Sequence, residues 1–560
     1  MKSTLLGLPI ICFLLAVNCA SASDLLVATT SGLFRGTTSI NGTERWLGIP
    51  FALPPVGALR FKAPLPITEP AVVPQNATEY GPACPQLPAS LLLSDLGAEM
   101  REDCLYMNIW RPENTSANAS LPVLVWFYGG AYHSGAASQP AYDPTRIIQR
   151  SADGQQPVIF VSFNYRVNTF GFLASQHVPS EDLNAGLQDQ AMALTYIQDN
   201  ISAFGGDPRK VTVWGQARAR VPFVKIPAAY QTSFQSAGAG SVEAQMLYPN
   251  GKPLFRAAIM NSGVGPFKSS PFAYQYDEPG KPYARLLDAT GCTQGASSFA
   301  CLQSVPYEAL LNISNAMTAA TTNEQLWEPV VGPPDSIIPV RASAKIASGD
   351  FMNVPVIAGT NLNEGTVFAE SLYGLGLSGA QENATFNNFI KGVVLDNTTL
   401  TADVIAAIDA LYPPNDSSLG GPYHSGDSLF DRAEAYYTDQ MFLSPRRLLF
   451  EAAAPKQNVY GYLFAEYIPG NPALVYHGSE LPLFFGPVPD IEQDFADTLL
   501  DHYITFVNDL NPGPAWPEYV VGQAQVLQLK RDNITLIPDA WNVASTDFFN
   551  SRRVLDQFEK

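Results

Sequence analysis

Five histidines stand in the 560 residues, His133, His177, His424, His477 and His502. An imidazole is the side chain best suited to moving protons near neutral pH. His477 is singled out because it follows a strand-and-loop unit and precedes Gly478. Glu364 lies in Gly359-Thr360-Asn361-Leu362-Asn363-Glu364-Gly365, just past an apolar run, where a carboxylate can orient an imidazole; almost any other loop glutamate here reads as a solvated charge. A serine nucleophile is sought in Gly-x-Ser-x-Gly, and no intact copy exists in the chain. Val211-Thr212-Val213-Trp214-Gly215-Gln216 supplies its first half and Ser236-Ala237-Gly238 its second. Ser236, Glu364 and His477 follow one another in the order serine, acid, histidine. The chemistry such a set would perform is acyl transfer, in which a hydroxyl attacks an ester carbonyl, an imidazole takes and returns its proton, a carboxylate orients the imidazole, and N–H donors hold the oxyanion.

Such groups need a rigid frame. Leu121–Phe127 (LPVLVWF) and Pro157–Phe163 (PVIFVSF) are short apolar runs rich in β-branched and aromatic residues, the pattern of buried strands. Gly186–Phe204 is helical in pattern, with Leu187, Ala191, Leu194, Ile197 and Ile201 at three- and four-residue spacing, and leads through Gly205-Gly206-Asp207-Pro208 to a strand at Val211–Trp214. Pro355–Gly359 and Val459–Phe464 read as later strands. Strands alternating with helices imply a mostly parallel central sheet covered by helices on both faces, with reactive residues just beyond the strands' carboxyl ends.

Several motifs now make a resemblance specific. Gly48-Ile49-Pro50-Phe51-Ala52, Pro54-Pro55-Val56-Gly57, Leu59-Arg60-Phe61, Glu102-Asp103-Cys104-Leu105-Tyr106-Met107-Asn108-Ile109-Trp110, Asn164-Tyr165-Arg166, Phe204-Gly205-Gly206-Asp207-Pro208, Asn363-Glu364-Gly365 and His477-Gly478-x-Glu480 occur in this order. Together they resemble the type-B carboxylesterase/lipase family, which includes the cholinesterases, from about residue 25 to the C-terminus. The resemblance implies an α/β-hydrolase fold, a Ser-Glu-His triad and no cofactor. It also implies that Tyr128-Gly129-Gly130-Ala131-Tyr132, a small-residue loop after a strand, holds the oxyanion through the N–H groups of Gly130 and Ala131, joined by that of Ala237. Glu102 with Arg60, and Arg166 with Asp207, are expected as structural ion pairs.

The nucleophile motif is interrupted by 19 residues, Ala217–Gln235. Deleting them restores Gly-Gln-Ser-Ala-Gly. The segment carries Arg218, Arg220 and Lys225, two prolines and no acid, in a strongly acidic chain. As written, Phe234 stands two residues before Ser236, where the sharp strand–serine–helix turn wants a small residue. The expectation is a retained intron or gene-model error, with a genuine loop insertion as the alternative, since loop-closure entropy grows slowly with length. Two departures bear on substrate. Gln216 or Gln235 precedes the serine where many relatives carry Glu, and the Cys84–Cys104 stretch, with Leu91-Leu92-Leu93, has no Trp on which a choline cation could stack. A small hydrophobic ester is expected instead.

Lys+Arg 32 against Asp+Glu 51 give a net charge of −19, which repels phosphate and argues against nucleic acid. With 46% apolar and 15% charged residues the chain can bury a large core. Residues 1–22 read as a secretory signal, Lys2 preceding the apolar run Leu5–Ala16 and Ala20-Ser21-Ala22 marking cleavage. Residues 23–560 then form one hydrolase domain, secreted and without a stable membrane anchor, its oligomeric state left open. Cys84, Cys104, Cys292 and Cys301 remain after cleavage; of three connectivities the local one, Cys84 with Cys104 and Cys292 with Cys301, is expected, and no metal spacing is present. Ten Asn-x-Ser/Thr sequons, at Asn41, Asn76, Asn114, Asn118, Asn200, Asn312, Asn383, Asn397, Asn415 and Asn533, accord with secretion.

Overall fold

The computed structural model describes residues 25–39, 41–87, 96–216, 237–249, 251–263, 270–470 and 474–559. Residues 1–22, Leu91-Leu92-Leu93, the added segment 217–235 and Ser236 lie outside the described residues.

Strands numbered along the chain are β1 (Leu26–Thr29), β2 (Gly32–Arg35), β3 (Thr37–Thr38), β4 (Thr43–Pro50), β5 (Ala71–Asn76), β6 (Tyr106–Pro112), β7 (Leu121–Phe127), β8 (Ile159–Phe163), β9 (Gly206–Gln216), β10 (Ala257–Asn261), β11 (Val356–Asn361), β12 (Val459–Phe464), β13 (Gln525–Leu529) and β14 (Thr535–Pro538). β1, β2 and β5 make a small sheet; the rest form one large sheet in the order β14-β13-β12-β11-β10-β9-β7-β8-β6-β4-β3. Every pairing from β8 across to β13 is parallel, and the pairings at both margins are antiparallel. The apolar runs explain the centre. β8, β11 and β12 are buried at every residue, and β7 at all but its first, as strands covered on both faces must be.

Consecutive residues of β9 show the two layers. The Trp214 ring packs against Tyr503 of the helix Gln493–Asp509, centroids 5.5 Å apart. Gly215 faces the opposite way, where a Cβ would meet the carbonyl oxygen of Gly238, in the helix Ala237–Leu247, at 2.1 Å. The predicted helix is observed as Ala185–Asn200 followed by a 3-10 turn, Ile201–Phe204. It packs on Ala237–Leu247, with Gln190 Nε2 donating to Ser241 Oγ at 2.8 Å. A second apolar cluster, separate from the one around the sheet, gathers Phe368, Phe386, Ile408, Tyr436, Tyr437 and Phe549 from the helices beyond β11.

One expected ion pair is corrected. Arg60 does hold Glu102, through Nε at 2.5 Å and Nη2 at 2.8 Å. Arg166 instead grips Asp189, its backbone N, Nε and Nη2 donating at 2.9, 2.8 and 2.7 Å. Asp207 pairs with the neighbouring Arg209 at 3.1 Å. The reason is topological. β8 and β9 both run parallel to β7, so Arg166, after the end of β8, and Asp207, at the start of β9, lie at opposite edges of the sheet. The helix Ala185–Asn200 comes close enough to Arg166 for a Cβ on Gly186 to meet its carbonyl oxygen at 2.4 Å, which brings Asp189 within reach.

Candidate active site

Parallel register sets the site. Phe127 lies opposite Gly215, Gln216 opposite Asn261, Asn261 opposite Gly359, and Asn361 opposite Phe464. The carboxyl ends of β7, β9, β10, β11 and β12 therefore form one edge, and the chain segments leaving them converge there.

Past β11, Glu364 opens a 3-10 turn, Glu364–Val367, with its Oε1 accepting from Asn361 N at 2.6 Å. Past β12, the loop carrying His477 is laid against this turn: Asn363 N donates to Val475 O at 3.0 Å, and Asn361 Nδ2 to Tyr476 O at 2.8 Å. His477 Nδ1 consequently lies 2.5 Å from Glu364 Oε2, with both side chains fully buried. A carboxylate can only accept, so Nδ1 carries the proton and Nε2 is the nitrogen available for proton transfer. Two rings fix the imidazole plane, Phe368 edge-on at 5.3 Å and Phe442 tilted at 4.8 Å. Phe442 belongs to a π-helical turn, Asp439–Leu443, between the helices Ser428–Thr438 and Ser444–Ala453, a distortion often found at functional sites.

Past β7, Gly130, Ala131 and Tyr132 have φ of 128°, 53° and 59°. A Cβ on Gly130 would strike Ser134 O at 2.3 Å, so only glycine fits. His133 N and Ser134 N both donate to Gly130 O at 3.0 Å, while the N–H groups of Gly130 and Ala131 have no acceptor among the described residues. Buried donors without partners are rare; two on one loop suit an incoming anion. The loop leaves β7 through Tyr128, stacked on Tyr165 at 4.3 Å, each hydroxyl donating to the other's carbonyl at 2.7 Å.

At the interrupted motif the two flanks meet. A Cβ on Gly238 would lie 2.8 Å from Gln216 N, 2.4 Å from Gln216 O and 2.3 Å from Phe127 O. Strand end and helix start are thus in backbone contact although 20 residues separate Gln216 from Ala237. Ala237 is buried and is the first described residue of its helix. Ser236 itself lies outside the described residues.

The network around Glu480 was not anticipated, although Glu480 stands in the His-Gly-x-Glu motif. Its Oε1 accepts from Gln216 Nε2 and its Oε2 from Asn361 Nδ2 at 2.7 Å. This ties the end of β9 to the end of β11 and to the histidine loop. Burial, with Glu364 nearby, pushes the Glu480 carboxyl up to about 7. Beneath the glutamate turn, Thr438 Oγ1 accepts from Gly365 N at 2.8 Å and donates to Glu434 at 2.9 Å. Burial pushes Glu434 up to about 8. Neither Glu434 nor Phe442 carries a sequence pattern that would single it out.

The structure joins Cys84 to Cys104 and Cys292 to Cys301. The first bridge holds Gln86 against the glycine loop, with Gly135 N donating to Gln86 Oε1 at 2.8 Å and Gln86 Nε2 to Gly135 O at 2.9 Å.

Comparison with known proteins agrees in sequence and in fold. The carboxylesterase family model matches residues 23–218 and 232–544, passing over a stretch inside the added segment. The chain is similar to secreted lipase 1 of Botryotinia fuckeliana, 33% identical over 94% of this chain and 93% of that one. It is also similar to the para-nitrobenzyl esterase of Bacillus subtilis, 32% identical over 88% and 92%. Among solved structures, Aspergillus niger EstA superposes with a TM-score of 0.76 at 26% identity over 96% of this chain and 99% of that one. A PNB esterase superposes at 0.73 with 30% identity over 94% and 100%. An α/β-hydrolase sheet with a buried Glu-His pair at its carboxyl edge, and a match to the family model over nearly its whole length, place this chain in the carboxylesterase family.

Proposed function

We propose that the protein is a secreted serine esterase that hydrolyses carboxylic esters with hydrophobic acyl groups through an acyl-enzyme. Ser236 attacks the carbonyl, His477 Nε2 takes its proton and returns it to the leaving alcohol, and Glu364 orients and stabilises the imidazolium. The N–H groups of Gly130, Ala131 and Ala237 receive the oxyanion. Water then attacks the acyl-enzyme by the same route. The buried Glu364–His477 contact of 2.5 Å carries the reading, because a fully desolvated carboxylate–imidazole pair is built for general acid–base work. Residues 1–22 are taken as the signal and the remainder as one catalytic domain. Secretion is supported by relatives named as secreted lipases, and no helix among the described residues is long and apolar enough to cross a membrane.

A second reading, an esterase-like binding protein, is favoured by the added segment at the nucleophile. Hydrolysis of p-nitrophenyl butyrate by the chain as it stands and with Ala217–Gln235 deleted separates the two. Activity in either form supports the esterase, activity only in the deletion identifies the segment as the impediment, and activity in neither sinks the enzymatic reading. Because Gly238 already contacts Gln216, the deletion is expected to close the turn without moving strand or helix.

A further inference from the structure

His133 is the one charged-capable side chain other than tyrosine in the glycine loop, and the proposed mechanism leaves it unused. Its ring is 1% exposed, and Nε2 lies 3.6 Å from Glu324 Oε2, itself 8% exposed. Both partners sit on costly backbone. Ala131 and Tyr132 are consecutive left-handed residues at 53° and 59°, and so are Asn323 and Glu324 at 54° and 56°. A non-glycine residue in this region is strained, so each segment persists only where its surroundings hold it.

The surroundings form a closed strap. Tyr132 O accepts from Asn168 N at 2.6 Å, and the adjacent Thr169 Oγ1 accepts from Trp327 Nε1 at 2.8 Å. One residue beyond Glu324, Gln325 Nε2 donates to the Tyr437 hydroxyl at 3.3 Å. Tyr437 stacks on Phe368 at 4.4 Å, and Phe368 packs edge-on against His477. The segment 324–327 thus touches the glycine loop on one side and the imidazole's support on the other. Resting on the esterase reading, we propose that Glu324, acting through His133, is a positioning residue that holds the oxyanion loop in its doubly left-handed form and keeps it in register with His477.

Oxyanion donors act on the transition state far more than on the bound ester, so loss of the tether should appear in kcat and not in KM. In both the full chain and the Ala217–Gln235 deletion, Glu324→Ala and His133→Ala are each expected to lower kcat about tenfold, with KM within about twofold. The double variant should be no worse than either single one, because both remove the same contact. His133→Gln, whose amide keeps a polar N–H group facing Glu324, should recover most of the loss, and His133→Leu none. Independently of turnover, hydrogen exchange of the 128–137 segment, where His133 N and Ser134 N bond Gly130 O, should rise about tenfold in Glu324→Gln. Unchanged exchange, additive losses in the double variant, or a lowered Tm with kcat unaltered would overturn the tether. If neither form hydrolyses any ester, the esterase reading fails, and the exchange measurement alone still decides whether the tether exists.

Discussion

At the scale of single residues, the site combines groups that need each other's burial. Glu364 and His477 are both fully buried, so the contact between them offsets part of the cost of taking each polar side chain out of water. Glu364→Gln preserves shape but offers Nδ1 a donor where an acceptor is required; kcat should fall by about 10³–10⁴-fold with KM little changed, as steady-state kinetics will show. Nearby acids behave differently. Glu434 and Glu480 are pushed up to about 8 and about 7 by burial, so the folded chain binds more protons than the unfolded one between about pH 4.5 and 8. Stability should therefore decline as pH rises through that window. Thermal unfolding followed from pH 5 to pH 9 is expected to show this decline, and Glu434→Gln, uncharged throughout, should flatten it and raise Tm at the alkaline end. Among site residues, Glu364, His477 and Gly130 were legible from their motifs. The contacts of Gln216, Phe442 and Glu324 were not, because each is made by a neighbour from a distant part of the chain.

At the scale of elements, strand and turn chemistry did most of the positioning. Val459–Phe464 was expected and observed with the same ends, since a run of apolar residues bounded by polar ones has few other solutions. β9 was expected at Val211–Trp214 but begins at Gly206 and continues to Gln216, because β7 pairs with Gly206 and with 211–215, and β10 with 212–216, whatever the strand's local propensity. The contact between Gly215 and Gly238 is the element-level requirement of the proposed nucleophile turn. Gly215→Ala would set a methyl 2.1 Å from a carbonyl oxygen, with backbone on both sides and nothing flexible to give way. It should destabilise the fold by about 1–3 kcal/mol and depress kcat as the helix start is pushed off the strand, measurable by chemical denaturation alongside ester hydrolysis.

At the scale of the whole molecule, the sequons are sorted by burial. Asn200 is 5% exposed, and its side chain is engaged by Thr30 N at 2.7 Å, Thr30 Oγ1 at 2.9 Å and Tyr196 O at 2.9 Å. Asn383 Oδ1 holds the buried Arg432 at 2.9 Å. Asn41, Asn76, Asn114, Asn118, Asn312, Asn397, Asn415 and Asn533 are exposed. Peptide mapping of secreted material before and after deglycosylation should find glycans within the exposed set and none on Asn200; a glycan there would contradict the packing of the turn between β1 and β2 against the helix Ala185–Asn200. Fold class and the order of the catalytic candidates were determined by the sequence alone, since periodicity and short motifs are local and survive without knowledge of neighbours. Only the tertiary structure decided that Arg166 pairs with Asp189, that Glu480 links three segments, and that the two flanks of the interrupted motif meet. Each of these depends on the parallel register of a sheet whose strands lie far apart in the chain, and register is set by packing across the whole sheet, which local pattern does not encode.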